Sequence, residues 1–119
     1  VNLGEWHNTK ISKIQSLPKN PETCCLNTTV WQLLKQAEAK DADIKLFEMH
    51  PDGCSPLHSH LEQHRVIIID GEGTIFDGKT THAIRSGDVI SIFANEPHQF
   101  KIEGKLPFKF LSVTFNSKA

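Results

Sequence analysis

Tyrosine is absent from these 119 residues, methionine occurs once and tryptophan twice. No apolar run is longer than Val66–Ile69, far below the ~18 residues that would suggest a membrane-spanning helix. Neither sign of charge dominates: Lys plus Arg number 13, Asp plus Glu 14, and the formal net charge is −1. With no basic excess to neutralise phosphates, nucleic acid is not expected as a ligand. The three cysteines are Cys24, Cys25 and Cys54. An odd count with one adjacent pair makes a poor disulfide framework, and there is no Cys-x-x-Cys spacing for zinc or redox chemistry, so free thiols in a reducing, cytoplasmic setting are expected. Val1–Lys10 shows no basic start followed by an apolar stretch, so no secretory signal is expected. The length suits one domain. What is abundant is histidine, with 7.

Residues 1–27 read as an extended N-terminal arm. Pro18, Asn20, Pro21 and Asn27 interrupt any period, and Trp6, Ile11, Ile14 and Leu17 supply apolar anchors. Such an arm would lie on the body or on a partner chain. Residues 28–119 form the body. Short β-like runs follow one another there: Thr28–Leu34, Ile44–Met49, Leu57–His60, His64–Ile69, Thr74–Phe76, His82–Ile84, Val89–Phe93, His98–Ile102 and Phe108–Phe115. Turn-forming separators such as Pro51-Asp52-Gly53, Asp77-Gly78, Ser86-Gly87-Asp88 and Asn95-Glu96-Pro97 divide them. Gly71-x-Gly73 reads as a hairpin turn. Leu33–Asp43 reads either as a helix or as a strand end with a polar loop. Many short strands at this spacing predict one all-β sandwich or barrel.

Four histidines stand in a pattern. On a strand, His58 and His60 point to one face, roughly 6.6 Å apart at Cα. His64 has the same parity but would lie about 13 Å farther along a straight strand, so Leu61-Glu62-Gln63 is expected to turn the chain and return His64 on the neighbouring strand. His98 can close the set from a facing strand. Neutral imidazoles converging on one point suit Zn, Cu, Fe, Ni or Mn. The His60/His64 spacing also occurs in helical zinc proteases, but their catalytic Glu position holds Leu61, and Val66–Ile69 favours a strand. His7, His50 and His82 have no ligand spacing and read as bystanders.

Asp52-Gly53 … His58-Ser59-His60 … His64 … Gly71, followed by Gly87 … His98, resembles the two motifs of the cupin superfamily. The first is written G-x5-H-x-H-x3-4-E-x6-G. Here Gly53 leaves four residues before His58, and His64 stands at the glutamate position with six residues before Gly71. In the second, G-x5-P-x-G-x2-H-x3-N, Gly87 and His98 keep their spacing, while Phe93, Asn95 and Ile102 replace the proline, glycine and asparagine. Histidine in place of glutamate resembles the small single-domain cupins with a four-histidine site. The resemblance implies a jelly-roll (double-stranded β-helix) barrel and one divalent transition metal at its mouth, held by His58, His60, His64 and His98. It also implies a homodimer. Lys45, Phe110 and Ser112 would face the pocket, and strand parity adds Val66, Ile68, Phe100 and Ile102 as lining or core residues.

A four-histidine site carries the full +2 of its metal, so it would hold anionic ligands more tightly than a site with a glutamate. Six-coordination leaves two positions open for substrate or dioxygen, whereas tetrahedral zinc would be closed and structural. The expected function is a metal-dependent, oxygenase-like enzyme acting on a small organic molecule. A redox-neutral isomerase or lyase and a non-catalytic ligand- or metal-binding module are the alternatives. Without tyrosine, acid–base chemistry would have to come mainly from the metal and its ligands.

Overall fold

From Phe108 to Ser112 every second residue is buried (Phe108, Phe110, Ser112), the two-residue period of a strand with one face inward. Val66 and Ile68 alternate in the same way within Gln63–Asp70. In the computed structural model, residues 10–21, 26–35 and 42–115 are described, and this alternation builds a curled antiparallel sheet. The strands are β1 (Lys19–Pro21), β2 (Leu26–Leu34), β3 (Ala42–Cys54), β4 (Gln63–Asp70), β5 (Glu72–Phe76), β6 (Thr81–Arg85), β7 (Val89–Ile92), β8 (Gln99–Ile102) and β9 (Phe108–Phe115). No helix among the described residues is long and apolar enough to cross a membrane.

One half of the sheet runs β2-β3-β9-β4-β7, the other β6-β5-β8, and β3 joins them. From Ala42 to Met49, β3 pairs with β9, whereas Cys54 pairs with Lys101 of β8. Pro51-Asp52-Gly53 lies between these two pairings, inside one strand, so it is not the separator its composition suggests. Asp52 takes a left-handed φ of 68°, Asn27 on the facing strand takes 47°, and the register slips between Leu26 and Thr28. Extra residues on one strand bend it without reversing it. The curl sets Met49, Val66, Ile68, Ile75, Ile84, Ile92, Phe100, Phe108 and Phe110, drawn from both halves, into one core.

The chain passes between the halves again at Gly71. β4 pairs with β9 and β7, β5 with β6 and β8, so Gly71 forms a corner where a hairpin was expected. Its φ of 84° and the Pro107 carbonyl beside it leave no place for a Cβ.

Leu57–His60 is not a regular strand. Its pairing is a single bridge between His58 and His98, after which the His60 carbonyl accepts the Asn95 N–H at 2.7 Å. Pro56 brings no N–H to a ladder, and the bend at Leu61–Glu62 ends the segment. Leu33 and Leu34 end β2, and Ala42 and Asp43 begin β3, so both described ends of the Leu33–Asp43 segment are strand. Its centre, residues 36–41, lies outside the described residues, as do Trp6, His7, Cys24 and Cys25. Within residues 10–21, β1 pairs with β2, while Ile11 and Ile14 are exposed.

Candidate metal centre

The crossing of β3 and the irregular segment that follows it carry His58 and His60 to the mouth of the barrel. His98 arrives immediately before β8. The His58 N–H donates to the His98 carbonyl at 3.2 Å, and the His98 N–H returns a bond to the His58 carbonyl at 2.9 Å. This double bond fixes the two backbones side by side, with ring centroids 4.5 Å apart. Ligand nitrogens of His58, His60 and His98 all lie within 4.8 Å of one another. His64 comes from the other half of the sheet, on β4 between Thr114 and Ile92. The turn therefore leads across the mouth rather than to a neighbouring strand. His64 Nε2 stands 2.7 Å from His60 Nε2, but His64 is not part of the mutual three-histidine cluster.

Backbone carbonyls only accept hydrogen bonds, and this settles two tautomers. His60 Nδ1–H donates to the Glu62 carbonyl at 3.0 Å, and His98 Nδ1–H to the Glu96 carbonyl at 2.9 Å. In neutral rings each Nε2 then presents a lone pair. His64 Nδ1 meets two hydroxyls, Thr114 Oγ1 at 2.8 Å and Ser112 Oγ at 3.1 Å. With His60 Nε2 unprotonated, its 2.7 Å contact to His64 Nε2 requires a proton on His64 or a cation bound to both nitrogens.

For His58, His64 and His98 the surroundings favour the neutral ring. Burial, then repulsion from His60, His98 and His58 and from Lys45, pushes His64 down to about 3. Burial, then His60, lowers His58. Burial also lowers His98, against the opposing bond to the Glu96 carbonyl. Neutral imidazoles whose outer nitrogens are held by carbonyls and hydroxyls fit a divalent transition metal, whose ligands need a free lone pair and an orienting partner.

Below the histidines lies a cavity of about 260 Å³. Phe47, Met49, Val66, Ile92, Phe100 and Phe110 form its apolar walls, and Lys45, Ser55, Ser112 and Thr114 its polar points. Ile68 and Ile102 do not reach it; Ile68 is buried in the core and Ile102 packs against it. Ser55 Oγ accepts the Phe100 N–H at 2.7 Å and ties β8 to the end of β3. Sequence reasoning missed Phe47, Met49, Ser55, Ile92 and Thr114. Thr114 shares parity with Ser112, and Phe47 and Met49 share it with Lys45, so extending the period would have found those three.

The other described histidines stand apart from the cavity. His50 pairs with Glu48 at 3.1 Å and His82 with Asp77 at 2.9 Å. Asp77 itself is held well below the usual carboxylate range, chiefly by the Thr80 N–H, then by His82 and the Lys79 N–H. Arg65, of opposite parity to His64, lies over Phe93 and Phe115 at 5.2 Å each.

Fold and site together define a small antiparallel β-barrel with a cluster of imidazoles at its mouth. The chain belongs to the Cupin domain family, whose model matches residues 45–114. It is similar to the 1-methylthio-D-xylulose 5-phosphate methylsulfurylase of Rhodospirillum rubrum, with 29% identity over 82 residues. That match covers 69% of this chain and 53% of the relative, so the chain spans about half the length of this curated relative. Among solved structures, a protein described as a predicted oxalate decarboxylase from Thermotoga maritima superposes with a TM-score of 0.83 at 21% identity, over 91% of this chain and 100% of that one. The polyketide cyclase RemF from Streptomyces resistomycificus gives 0.79 at 23% identity, over 92% and 81%. These likenesses establish the shared fold.

Proposed function

We propose that this cupin is a metal-dependent enzyme. One divalent transition metal (Mn, Fe, Ni, Zn or Cu) would be held by His58, His60, His64 and His98, and the cavity below would take a small organic substrate. The observation that carries this reading is the set of four ring systems, all on one cavity, with two Nε2 lone pairs fixed by backbone carbonyls and His64 Nε2 at 2.7 Å from His60. The metal would supply Lewis acidity and, in a redox-active form, electron exchange with dioxygen. The chain's own residues bind and orient: apolar walls exclude water, and Ser112 and Thr114 hold His64. No carboxylate lines the cavity among the described residues, which disfavours hydrolysis by a general base and favours an oxygenase-like reaction. The redox-neutral alternative, an isomerase or lyase, draws support from Lys45, a cation able to face a developing negative charge.

The test is metal stoichiometry, followed by oxygen uptake. We expect one metal per chain, with affinity falling at least tenfold in His64→Ala and unchanged in His82→Ala. Wild-type affinity in His64→Ala would remove His64 from the ligand set. Oxygen uptake by Mn, Fe, Ni or Cu forms over a panel of diketones and phenols supports the oxygenase; turnover without uptake supports the redox-neutral reading.

A further inference from the structure

The cavity's charge is one-sided. Among its lining residues Lys45 is the one side chain with a permanent charge, and no Asp or Glu is present. Lys45 lies opposite Ser112 on the inward face of the sheet, and Ser112 Oγ is 3.1 Å from His64 Nδ1. Lys45 therefore lines the cavity one strand away from the partner that orients His64. Among the described residues no carboxylate lies within 4.0 Å of it. Asp43, two residues away on the same strand face, has its Oδ1 engaged by Gln32 Nε2 at 3.0 Å. With no carboxylate of the described residues in reach, Lys45 is available to an anionic ligand that enters the cavity.

The walls narrow the class of anion. Phe47 and Phe110 stack at 5.0 Å with an interplanar angle of 10°, and Phe100 stacks on Phe110 at 4.9 Å and 22°. Rings stacked in this way turn faces toward one another and give the cavity one apolar, aromatic wall. Among the described lining side chains one lysine stands without a second Lys or Arg, so the chain's own residues balance the single charge of a carboxylate and leave one charge of a phosphate dianion unpaired. We propose that Lys45 is the substrate-anion binding residue and that the substrate is a small carboxylate with an apolar body, its carboxylate on Lys45 and its body packed against Phe47, Phe110 and Phe100.

The inference rests on the cavity being the substrate site, so metal content is measured separately from ligand binding. The probes are benzoate, its neutral isostere benzamide, and phenyl phosphate, titrated calorimetrically into Zn-loaded and metal-free protein. Wild type is expected to bind benzoate and to prefer it over benzamide and phenyl phosphate. Loss of the charge-assisted bond in Lys45→Gln should weaken benzoate by about tenfold or more. Benzamide binding and zinc content should stay as in wild type, and Lys45→Arg should restore most of the benzoate affinity. Lys45→Met serves as a second neutral variant, with thermal unfolding reporting that each variant is folded. Absence of benzoate binding in wild type, equal benzoate affinity in wild type and Lys45→Gln, or tighter binding of phenyl phosphate would each overturn the proposal. Lys45-dependent benzoate binding in a protein that takes up no metal would uphold it while removing the metal-enzyme reading.

Discussion

Replacing Thr114 by valine and Ser112 by alanine removes the two hydroxyls that stand 2.8 and 3.1 Å from His64 Nδ1. Neither hydroxyl touches the point where the imidazoles converge; both orient the ring that does. Loss of such an outer partner costs metal affinity roughly 10- to 100-fold. We expect the double variant to fall in that range, with Ser112→Ala alone milder because Thr114 remains as the shorter contact. Metal competition titration checks this, and unchanged affinity would mean that His64 is oriented by other contacts. That His58, His60, His64 and His98 come to one cavity was legible in the sequence, because strand parity and spacing bring them together. Ser112 was reached through family resemblance. The period that holds Phe110 and Ser112 extends to Thr114 and gives its face, but a hydroxyl on a strand has no chemical signature of its role until its partner is known.

Strands were legible wherever burial alternates, as in β4 and β9, because one inward face imposes a period of two. Turn chemistry was legible, but not what each turn does. Asp52 and Gly71 carry the left-handed backbone their residue types favour, yet one bends a strand and the other turns a corner between the two halves. Local sequence fixes φ, whereas pairing partners depend on distant strands. Gly73 shows the same limit. It is the second residue of β5, and a Cβ there would meet the Phe108 ring at 2.5 Å and the Lys101 carbonyl at 2.6 Å. Phe108 is fully buried, so the ring has no free space to move into. Overpacking of this kind costs about 1–3 kcal/mol. Gly73→Ala should lower the unfolding free energy by that amount in denaturant titrations, while Lys79→Ala, on the exposed β5–β6 turn, should change it little. A Gly73→Ala protein as stable as wild type would show that Phe108 can shift at no cost.

For the molecule as a whole, the imidazoles at the cavity tie stability to pH. His58, His64 and His98 all bind a proton less readily in the fold than in the unfolded chain, with burial the largest cause, and His64 falls from 6.5 to about 3. Below 6.5 the unfolded chain takes up protons that the folded chain refuses, so the unfolding free energy drops as pH drops. The full stability is present above 6.5 and is lost progressively as pH falls towards the folded-state value. Carboxylates titrate mainly near 4, so a comparison of pH 7.5 with pH 5 isolates the histidines. Metal-free protein should show a lower denaturant midpoint at pH 5 than at pH 7.5, and His64→Gln should show a smaller drop. Added metal, which needs neutral rings, should stabilise most at pH 7.5, and its increment should shrink towards pH 5 as protons compete. A midpoint independent of pH in the metal-free protein, or an equal drop in His64→Gln, would mean that burial does not keep these rings neutral. The readiness of the site for a metal would then lose its physical basis.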